Sequence, residues 1–207
     1  MATTAEGSSH EEDVKDPIER FRALLAEAEA IDRSVLPEPT AMMVATVGDD
    51  GQPSLRVVLL KSVDERGFVF YTNYESRKGR ELLAHPKAAL CFHWQLLERQ
   101  VRIEGDAQPV PPEEADAYFA TRARLSQIGA WASKQSRPLA SDAELDERVH
   151  AMEERFAEAT VPRPPHWSGF RVVPRRIEFW RNRAFRLHER LVYERADGNW
   201  RVTRLYP

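Results

Sequence analysis

The sequence predicts an antiparallel α+β fold, built as a closed or partly closed barrel with flanking helices. Three observations point there. Roughly eight short β-branched and apolar runs follow one another, and hairpin-turn signals such as Gly48-Asp49-Asp50-Gly51, Asp64-Glu65-Arg66-Gly67 and Asp197-Gly198 separate several of them. Helical segments fall between groups of strands instead of alternating with single strands, which argues against a doubly wound parallel sheet. The chain of 207 residues shows no internal repeat and is 42% apolar, which suits one domain.

Taken in order, residues 1–15 read as a disordered acidic arm and residues 16–207 as the folded domain. Pro17 to about Ile31 reads as an amphipathic helix: Asp16 is placed to cap it, Pro17 sits at its first position, and Ile18, Phe21, Leu24, Leu25 and Ala28 recur at helical spacing. Pro37 and Pro39 end any helix. Strands are expected over Thr40–Val47, Ser54–Ser62 and Gly67–Thr72, then a short helix over Ser76–Ala84. Two further strands follow, Lys87–Trp94 and Arg99–Ala107. Pro111-Pro112-Glu113-Glu114 opens a helix to about Arg122. Another helix spans Asp142–Ala159, with Leu145, Val149, Met152 and Phe156 on one face. After a loop at Pro162–Pro165, strands resume over Gly169–Val173, Arg175–Trp180, Arg186–Arg195 and Trp200–Leu205.

Composition excludes several classes. Charged residues make up 30% of the chain and the net charge is −3, so bulk nucleic-acid binding is not indicated. The single cysteine, Cys91, rules out an intrachain disulfide and a multi-cysteine zinc site, and its apolar surroundings suggest an inert thiol. The six histidines show no paired ligand spacing, and no Ser occupies a nucleophile elbow. No run approaches a membrane span. The N-terminus lacks the basic and apolar regions of a signal peptide, so a cytoplasmic location is expected.

Local basic clusters therefore need local explanations. In Arg186-Leu187-His188-Glu189-Arg190, strand alternation would point Arg186, His188 and Arg190 to one face, where they repel unless an anionic or electron-rich ligand lies against them. The competing reading is a charged edge strand that discourages aggregation. Arg56-Val57-Val58-Leu59-Leu60-Lys61 is an apolar strand bracketed by cations on opposite faces, which serve ligands or merely snorkel. Tyr71-Thr72-Asn73-Tyr74-Glu75-Ser76-Arg77-Lys78 runs from a strand into a helix start, where free N–H groups, a hydroxyl and two cations suit a phosphate. Alone, Ser-Arg-Lys on a helix is more often simply solvated. Tyr118, Arg122 and Ser126 stand four apart on a helix and its end, and a phenol, a guanidinium and a hydroxyl together suit a second phosphate. Gln100 lies between apolar neighbours, where its amide could bond a heteroaromatic edge or serve the strand itself.

Together these segments, with Leu97-Glu98-Arg99-Gln100-Val101, the run Ser126–Ser136, Glu178-Phe179-Trp180 and the terminal Arg204-Leu205-Tyr206-Pro207, occur in an order that resembles the pyridoxamine/pyridoxine 5′-phosphate oxidase family. The resemblance covers nearly all of Asp16–Pro207. It implies a Greek-key-like split β-barrel homodimer with FMN at two subunit-interface sites. By that resemblance Arg56, Val57, Val58, Leu59, Lys61, Tyr71, Thr72, Ser76, Arg77, Lys78 and Ser136 would line or hold the phosphate end of FMN. Gln100, Gln135, Trp180 and Arg190 would surround its ring. Lys61, Tyr118, Arg122 and Ser126 would bind the substrate phosphate, and Arg186 and His188 would close over the substrate ring as catalytic residues.

The implied reaction oxidises pyridoxamine 5′-phosphate or pyridoxine 5′-phosphate to pyridoxal 5′-phosphate, with O2 as acceptor and H2O2 as product. In it the cofactor supplies the redox chemistry and the protein supplies placement. Three departures from the family pattern stand out: an acidic arm in place of a basic Tyr-containing segment, Leu125 where an acidic residue is common, and Arg181-Asn182-Arg183-Ala184-Phe185 where a Gln-Gly turn is usual. Two alternatives remain. One is a related flavin oxidase of the phenazine type acting on a non-phosphorylated ring; the other is a non-catalytic flavin- or pyridoxal-phosphate-binding protein.

Overall fold

The computed structural model describes residues 15–207, so the arm expected over residues 1–15 lies outside the described residues except for Lys15. Helix α1 (Pro17–Glu29) begins as its sequence requires: Asp16 Oδ1 accepts from the Ile18 N–H at 2.8 Å, and Pro17 fills the first turn. Its apolar stripe, Ile18, Phe21, Leu24 and Ala28, is buried. The Phe21 ring meets Phe68 and Phe92 with centroids 4.9 Å from each, both edge-on, so α1 plugs the interior of the sheet.

Among the described residues nine strands form one antiparallel sheet: β1 (Ala41–Val47), β2 (Pro53–Leu59), β3 (Ser62–Asp64), β4 (Gly67–Asn73), β5 (Lys87–Trp94), β6 (Arg99–Pro109), β7 (Trp167–Arg181), β8 (Glu189–Ala196) and β9 (Asn199–Arg204). Its main path runs β2-β1-β5-β6-β7-β4-β3, with β8 branching from β7 and β9 pairing β8. Consecutive strands β2 and β3 thus lie at opposite ends of the path, joined only through Leu60 and Lys61. The Leu60 N–H bonds to the Thr40 carbonyl at 2.9 Å and the Lys61 N–H to the Val69 carbonyl at 2.8 Å. The sheet must therefore curl until its two edges meet, and the single strand expected over Ser54–Ser62 is split by this crossing.

Strand β7 is continuous where the sequence suggested two strands. Its first half pairs with β4 and its second with β8, while β6 follows both halves through a register shift between Glu104 and Gly105. Pro174, which has no N–H to donate, sits at this irregularity. Gly105 is required there, because a Cβ would stand 2.1 Å from the Val173 carbonyl oxygen.

The last expected strand also starts later than the sequence suggested. Phe185 and Arg186 have φ of 58° and 61° in a 3-10 turn, Ala184–Arg186, and β8 begins only at Glu189. The alternation drawn through Arg186, His188 and Arg190 therefore does not exist, since Arg186 and His188 lie in the turn and only Arg190 is in the strand. Asp197 and Gly198 close the β8–β9 hairpin as expected, both with positive φ.

The described residues hold four more α-helices. Helix α2 (Arg77–Ala84) is capped by Ser76, whose Oγ accepts from the Gly79 N–H at 3.2 Å. The helix expected to reach Arg122 ends earlier, as α3 (Pro112–Ala120), and α4 (Arg124–Ala132) follows, an element not foreseen. The break is stabilised locally: Thr121 Oγ1 donates to the Tyr118 carbonyl at 2.8 Å and Gln127 Nε2 to the Phe119 carbonyl at 2.9 Å. Helix α5 (Asp142–Arg155), capped by Ser141, stops at Phe156, short of the expected end at Ala159. Phe119, Ile128, Phe156, Val161 and Trp167 form a second core under these helices. Among the described residues no helix is long and apolar enough to cross a membrane.

Because Phe21 is fully buried and contacts strands from both halves of the path, Phe21→Ala should lower unfolding free energy by about 3–5 kcal/mol. Urea denaturation followed by tryptophan fluorescence would measure this, and a loss under about 1 kcal/mol would contradict the plug role assigned to α1.

Candidate functional site

The crossing at Leu60–Lys61 brings β2 beside β4, and α2, α3 and α4 roof the space between them. The resulting open cavity has a volume of about 510 Å³. Strand β2 and the crossing supply Arg56, Val57, Val58, Leu59 and Lys61. Strand β4 supplies Tyr71, Thr72 and Asn73, and α2 supplies Lys78. The helical end contributes Tyr118, Arg122, Ser126, Gly129, Ala130, Ser133 and Gln135, and β7 contributes Trp167. Four cations, Arg56, Lys61, Lys78 and Arg122, line this cavity with no Asp or Glu among them. Such a wall attracts anions, and its partial burial strengthens the attraction.

Each cation is held differently. Lys78 is buried, with Nζ donating to Thr72 Oγ1 at 3.0 Å, Gln135 Oε1 at 3.1 Å and Ser76 Oγ at 3.3 Å. Burial, with the nearby Arg56 charge, pulls its pKa down to about 8. Arg56 bonds to Ser54 Oγ at 2.6 Å and to the Val44 carbonyl at 3.2 Å, and lies 3.5 Å from Glu81. Glu81 is the orienting carboxylate beneath the cavity. Burial alone would raise its pKa, but hydrogen bonds from Thr46, Arg77 and Ser54 outweigh that and bring it to about 2.

Arg122 lies with its Cζ 4.8 Å from the Trp167 ring centroid and 5.7 Å from that of Phe119. Its Nη1 is buried without a hydrogen-bond partner. A buried guanidinium donor left unsatisfied is costly, and this one borders an anion-attracting cavity. Tyr71 stacks on Tyr118 (4.1 Å, 10°) and lies nearly parallel to Trp167 (5.2 Å, 3°). Burial pushes the Tyr71 phenol up to about 12, so it stays a protonated donor. Arg171, buried, bonds Asp64 at 2.8 Å and Glu114 at 2.9 Å, tying α3, and thereby Tyr118, to the sheet.

The structure brings together Arg56, Val57, Val58, Leu59, Lys61, Tyr71, Thr72, Lys78, Gln135, Tyr118, Arg122 and Ser126 of the residues singled out from sequence. Tyr118, Arg122 and Ser126 meet although no continuous helix carries them, so the four-residue spacing argument does not explain their convergence. Ser76 lies behind Lys78, fully buried, and Arg77 turns to Glu81 at 2.8 Å. Ser136 does not line the cavity and adopts φ of 70° in an exposed loop next to Gln135.

A second group lies elsewhere on the chain. Gln100 pairs with Trp180 across β6–β7, and Trp180 with Arg190 across β7–β8. The His188 ring lies 4.6 Å from that of Trp180. Arg190 Nε donates to Glu178 Oε1 at 2.7 Å, and Arg190 Nη1 to the Tyr206 carbonyl at 3.2 Å. Glu178 is 1% exposed; burial favours its protonated form, but bonds from Arg190 and Arg176 prevail and hold it below the usual carboxylate range. None of Gln100, Trp180, Arg186, His188 and Arg190 lines the cavity of its own chain. Sequence reasoning missed Trp167, Ser133 and the two orienting carboxylates. Of these the carboxylates carried a local signal: Glu81 stands four residues beyond Arg77 on one helix, and Glu178 two residues beyond Arg176 on one strand face.

Two family models match the chain. One, described as pyridoxamine 5′-phosphate oxidase, covers residues 28–181; the other, the pyridoxine 5′-phosphate oxidase C-terminal dimerisation region, covers residues 167–207. A pyridoxine/pyridoxamine 5′-phosphate oxidase of Myxococcus xanthus is 62% identical over 93% of this chain and 92% of its own. One from Caulobacter vibrioides is 58% identical over 93% and 86%. Among solved structures, PhzG from Burkholderia lata in complex with tetrahydrophenazine-1-carboxylic acid superposes with a TM-score of 0.86, at 33% identity over 96% of both chains. An FMN-binding protein of Nostoc punctiforme shares the fold with a TM-score of 0.71 at 17% identity.

Glu81 makes the site's acid sensitivity testable. A carboxylate whose folded pKa is depressed stabilises the fold above its unfolded value and loses that contribution as pH falls through the folded value. Between the ordinary 4.5 and about 2, Glu81→Gln should therefore flatten the fall of the urea midpoint with pH. An unchanged slope would remove Glu81 from the acid-labile set.

Proposed function

The chain belongs to the pyridoxamine 5′-phosphate oxidase family, and on that premise we propose that it oxidises pyridoxamine 5′-phosphate and pyridoxine 5′-phosphate to pyridoxal 5′-phosphate. The observation that carries the reading is the cavity wall of four cations without a carboxylate, which contains the unsatisfied Arg122 donor. Two phosphate groups, one on a flavin mononucleotide and one on the substrate, fit that charge. FMN, when bound, supplies two-electron oxidation of the substrate and passes the electrons to O2, giving H2O2.

The donor set fits that cofactor. Lys78, Thr72, Arg56 and Gln135 form a polar cluster at one end of the cavity, and a buried lysine with a depressed pKa is the group an anion would restore to full charge. At the other end Arg122, Tyr118, Ser126 and Lys61 would hold the substrate phosphate. Tyr71, stacked on Tyr118 and nearly parallel to Trp167, contributes a flat apolar surface with a protonated phenol at its edge. Anchoring a phosphate far from the reacting carbon converts remote binding energy into orientation.

The catalytic pair Arg186 and His188, with Gln100, Trp180 and Arg190, would come from a second copy. Three facts support this homodimer. The group does not line the cavity of its own chain, it falls mostly within residues 167–207, which match the dimerisation region, and Leu55, Val57, Phe185 and Leu187 are 64–93% exposed.

The test is an aerobic peroxide assay on the purified yellow protein with both phosphates and with unphosphorylated pyridoxine. Both phosphates should turn over, and Arg122→Ala should raise their KM about 10- to 100-fold. Equal turnover of unphosphorylated pyridoxine would overturn the phosphate assignment in favour of a ring-only oxidase. A flavin-loaded protein producing no peroxide would favour a non-catalytic binder.

Lys78 also sets a pH dependence. Below about 8 it is charged and FMN binding should be flat; above that, binding must draw in a proton, so affinity should fall up to about tenfold per pH unit. Flavin fluorescence titrations at pH 7–10 would show it, and Lys78→Met should abolish the slope while weakening binding throughout. A slope that persists in Lys78→Met would assign it to another group.

A further inference from the structure

We propose that the turn after Trp180 fixes His188 as a hydrogen-bond donor through Nε2, with Arg183 as its positioning residue. This deepens the reading of His188 as a ligand-facing side chain and rests on it. The backbone N–H of Arg183 donates to His188 Nδ1 at 3.3 Å. A ring nitrogen that accepts a hydrogen bond carries no proton, so the proton of the neutral imidazole is on Nε2. The Trp180 ring, 4.6 Å away and tilted by 42°, packs against one side of the imidazole and opposes a flip that would exchange the two nitrogens.

The segment that makes this contact is clamped on both sides. Asn182 is tied to Glu98 twice, from its backbone N–H to the carbonyl at 3.0 Å and from Nδ2 to Oε1 at 2.8 Å. The Arg183 guanidinium pairs with Glu189, Nε to Oε1 at 2.8 Å, bridging the start of the turn to the start of β8. Between these clamps two successive side-chain-bearing residues, Phe185 and Arg186, hold left-handed backbone angles. Such angles persist only where the surroundings over-determine them. The arginine of this turn that pairs with Glu189 is therefore part of the device that aims His188. It stands partly in solvent, but with a fixed partner on the first residue of β8.

The chemical consequence is a division of roles. With Nδ1 engaged, His188 meets a ligand through Nε2–H. It can support an oxygen or ring nitrogen that gains negative charge, but it takes no proton from the substrate while the Arg183 contact stands. Arg186, a guanidinium carried by the same turn, would add to that field.

The first test needs no turnover, so its outcome is separate from that of the proposed reaction. In full-length protein labelled with nitrogen-15 histidine, long-range proton–nitrogen correlation spectra report which ring nitrogen is protonated, and the His188 signal is assigned by its loss in His188→Gln. An unprotonated Nδ1 and a protonated Nε2 are expected; the opposite tautomer, or an even mixture, would overturn the proposal. Arg183→Ala keeps the backbone donor but releases Glu189, and should shift these signals towards a mixture. Unchanged signals would remove the Arg183 side chain from the device.

The second test is kinetic. His188→Gln carries an amide N–H to roughly the Nε2 position and should keep kcat within about tenfold, whereas His188→Asn, whose amide reaches only the Nδ1 position, should lose about 100-fold. Equal, severe loss in both would indicate a general base and overturn the donor role.

Discussion

Everything at the site depends on a short crossing. Leu60 and Lys61 carry the chain from one edge of the sheet, β2, to the other, β3, and two residues span at most about 7 Å. The sheet has no freedom to stay open. Curling places Arg56, Leu59 and Lys61 opposite Tyr71 and Thr72, residues that are distant along the sheet path, and it encloses a core that α1 can plug with Phe21. Gly105 and Pro174 allow β7 to bend away from β4 and take up β8. The same closure therefore builds the cavity and frees the C-terminal strands to form a separate surface.

Charge is distributed to match. Carboxylates sit behind the cavity and not in it: Glu81 takes Arg56 and Arg77 from beneath, while Arg171 consumes Asp64 and Glu114 at the root of α3. Glu178 does the same work for Arg190, Arg176 and Arg102 on the other surface. Removing a charge from water is expensive unless partners are supplied, and the protein supplies them on the side away from the ligand. Lys78 and Arg122 do without a carboxylate: Lys78 is held by the neutral oxygens of Thr72, Ser76 and Gln135, and Arg122 has an Nη1 with no partner and rests on the Trp167 and Phe119 rings. This is why the Arg122 donor remains available.

Much of this was legible in the sequence, and the failures have physical causes. Hairpin turns and apolar alternation depend on neighbours a few residues away, so β1, β4, β5, β6 and the first helix fall where periodicity puts them. The join at Pro174 was misread because a bulge in β7 itself, which leaves Arg175 unpaired where Glu104 faces Arg176 and Gly105 faces Pro174, accommodates a residue that would otherwise end pairing. Helix α4 was missed because its start at Ala123 carries no side-chain cap. Its sequence Arg124-Leu125-Ser126-Gln127-Ile128-Gly129 also contains residues with weak helical preference. The cations of the cavity were identifiable as a set only through the family resemblance, because β2, β4, α2 and α4 meet by long-range closure. Glu178 gave only a partial local sign of its role: Arg176 stands two residues before it on the same face of β7, but Arg102 and Arg190 come from β6 and β8.

The Arg186–Arg190 segment shows how a pattern can point to the right residues through the wrong geometry. Alternation assumed extended backbone, yet Phe185 and Arg186 are left-handed, a conformation that Gly or Asn would have signalled and that Phe and Arg do not. Their strain is met by contacts from residues the pattern ignored: Glu98 from the β5–β6 connection, and Glu189 through Arg183. In a regular strand Arg186, His188 and Arg190 would share one face and one environment. The turn instead separates them, leaving Arg190 on a buried carboxylate at the sheet and His188 against an indole with one nitrogen engaged. Arg186 projects from the strained turn itself. Two arginines and a histidine that would crowd one another in a stripe are thereby given distinct supports, which is the arrangement needed if they are to act on different parts of one bound pair.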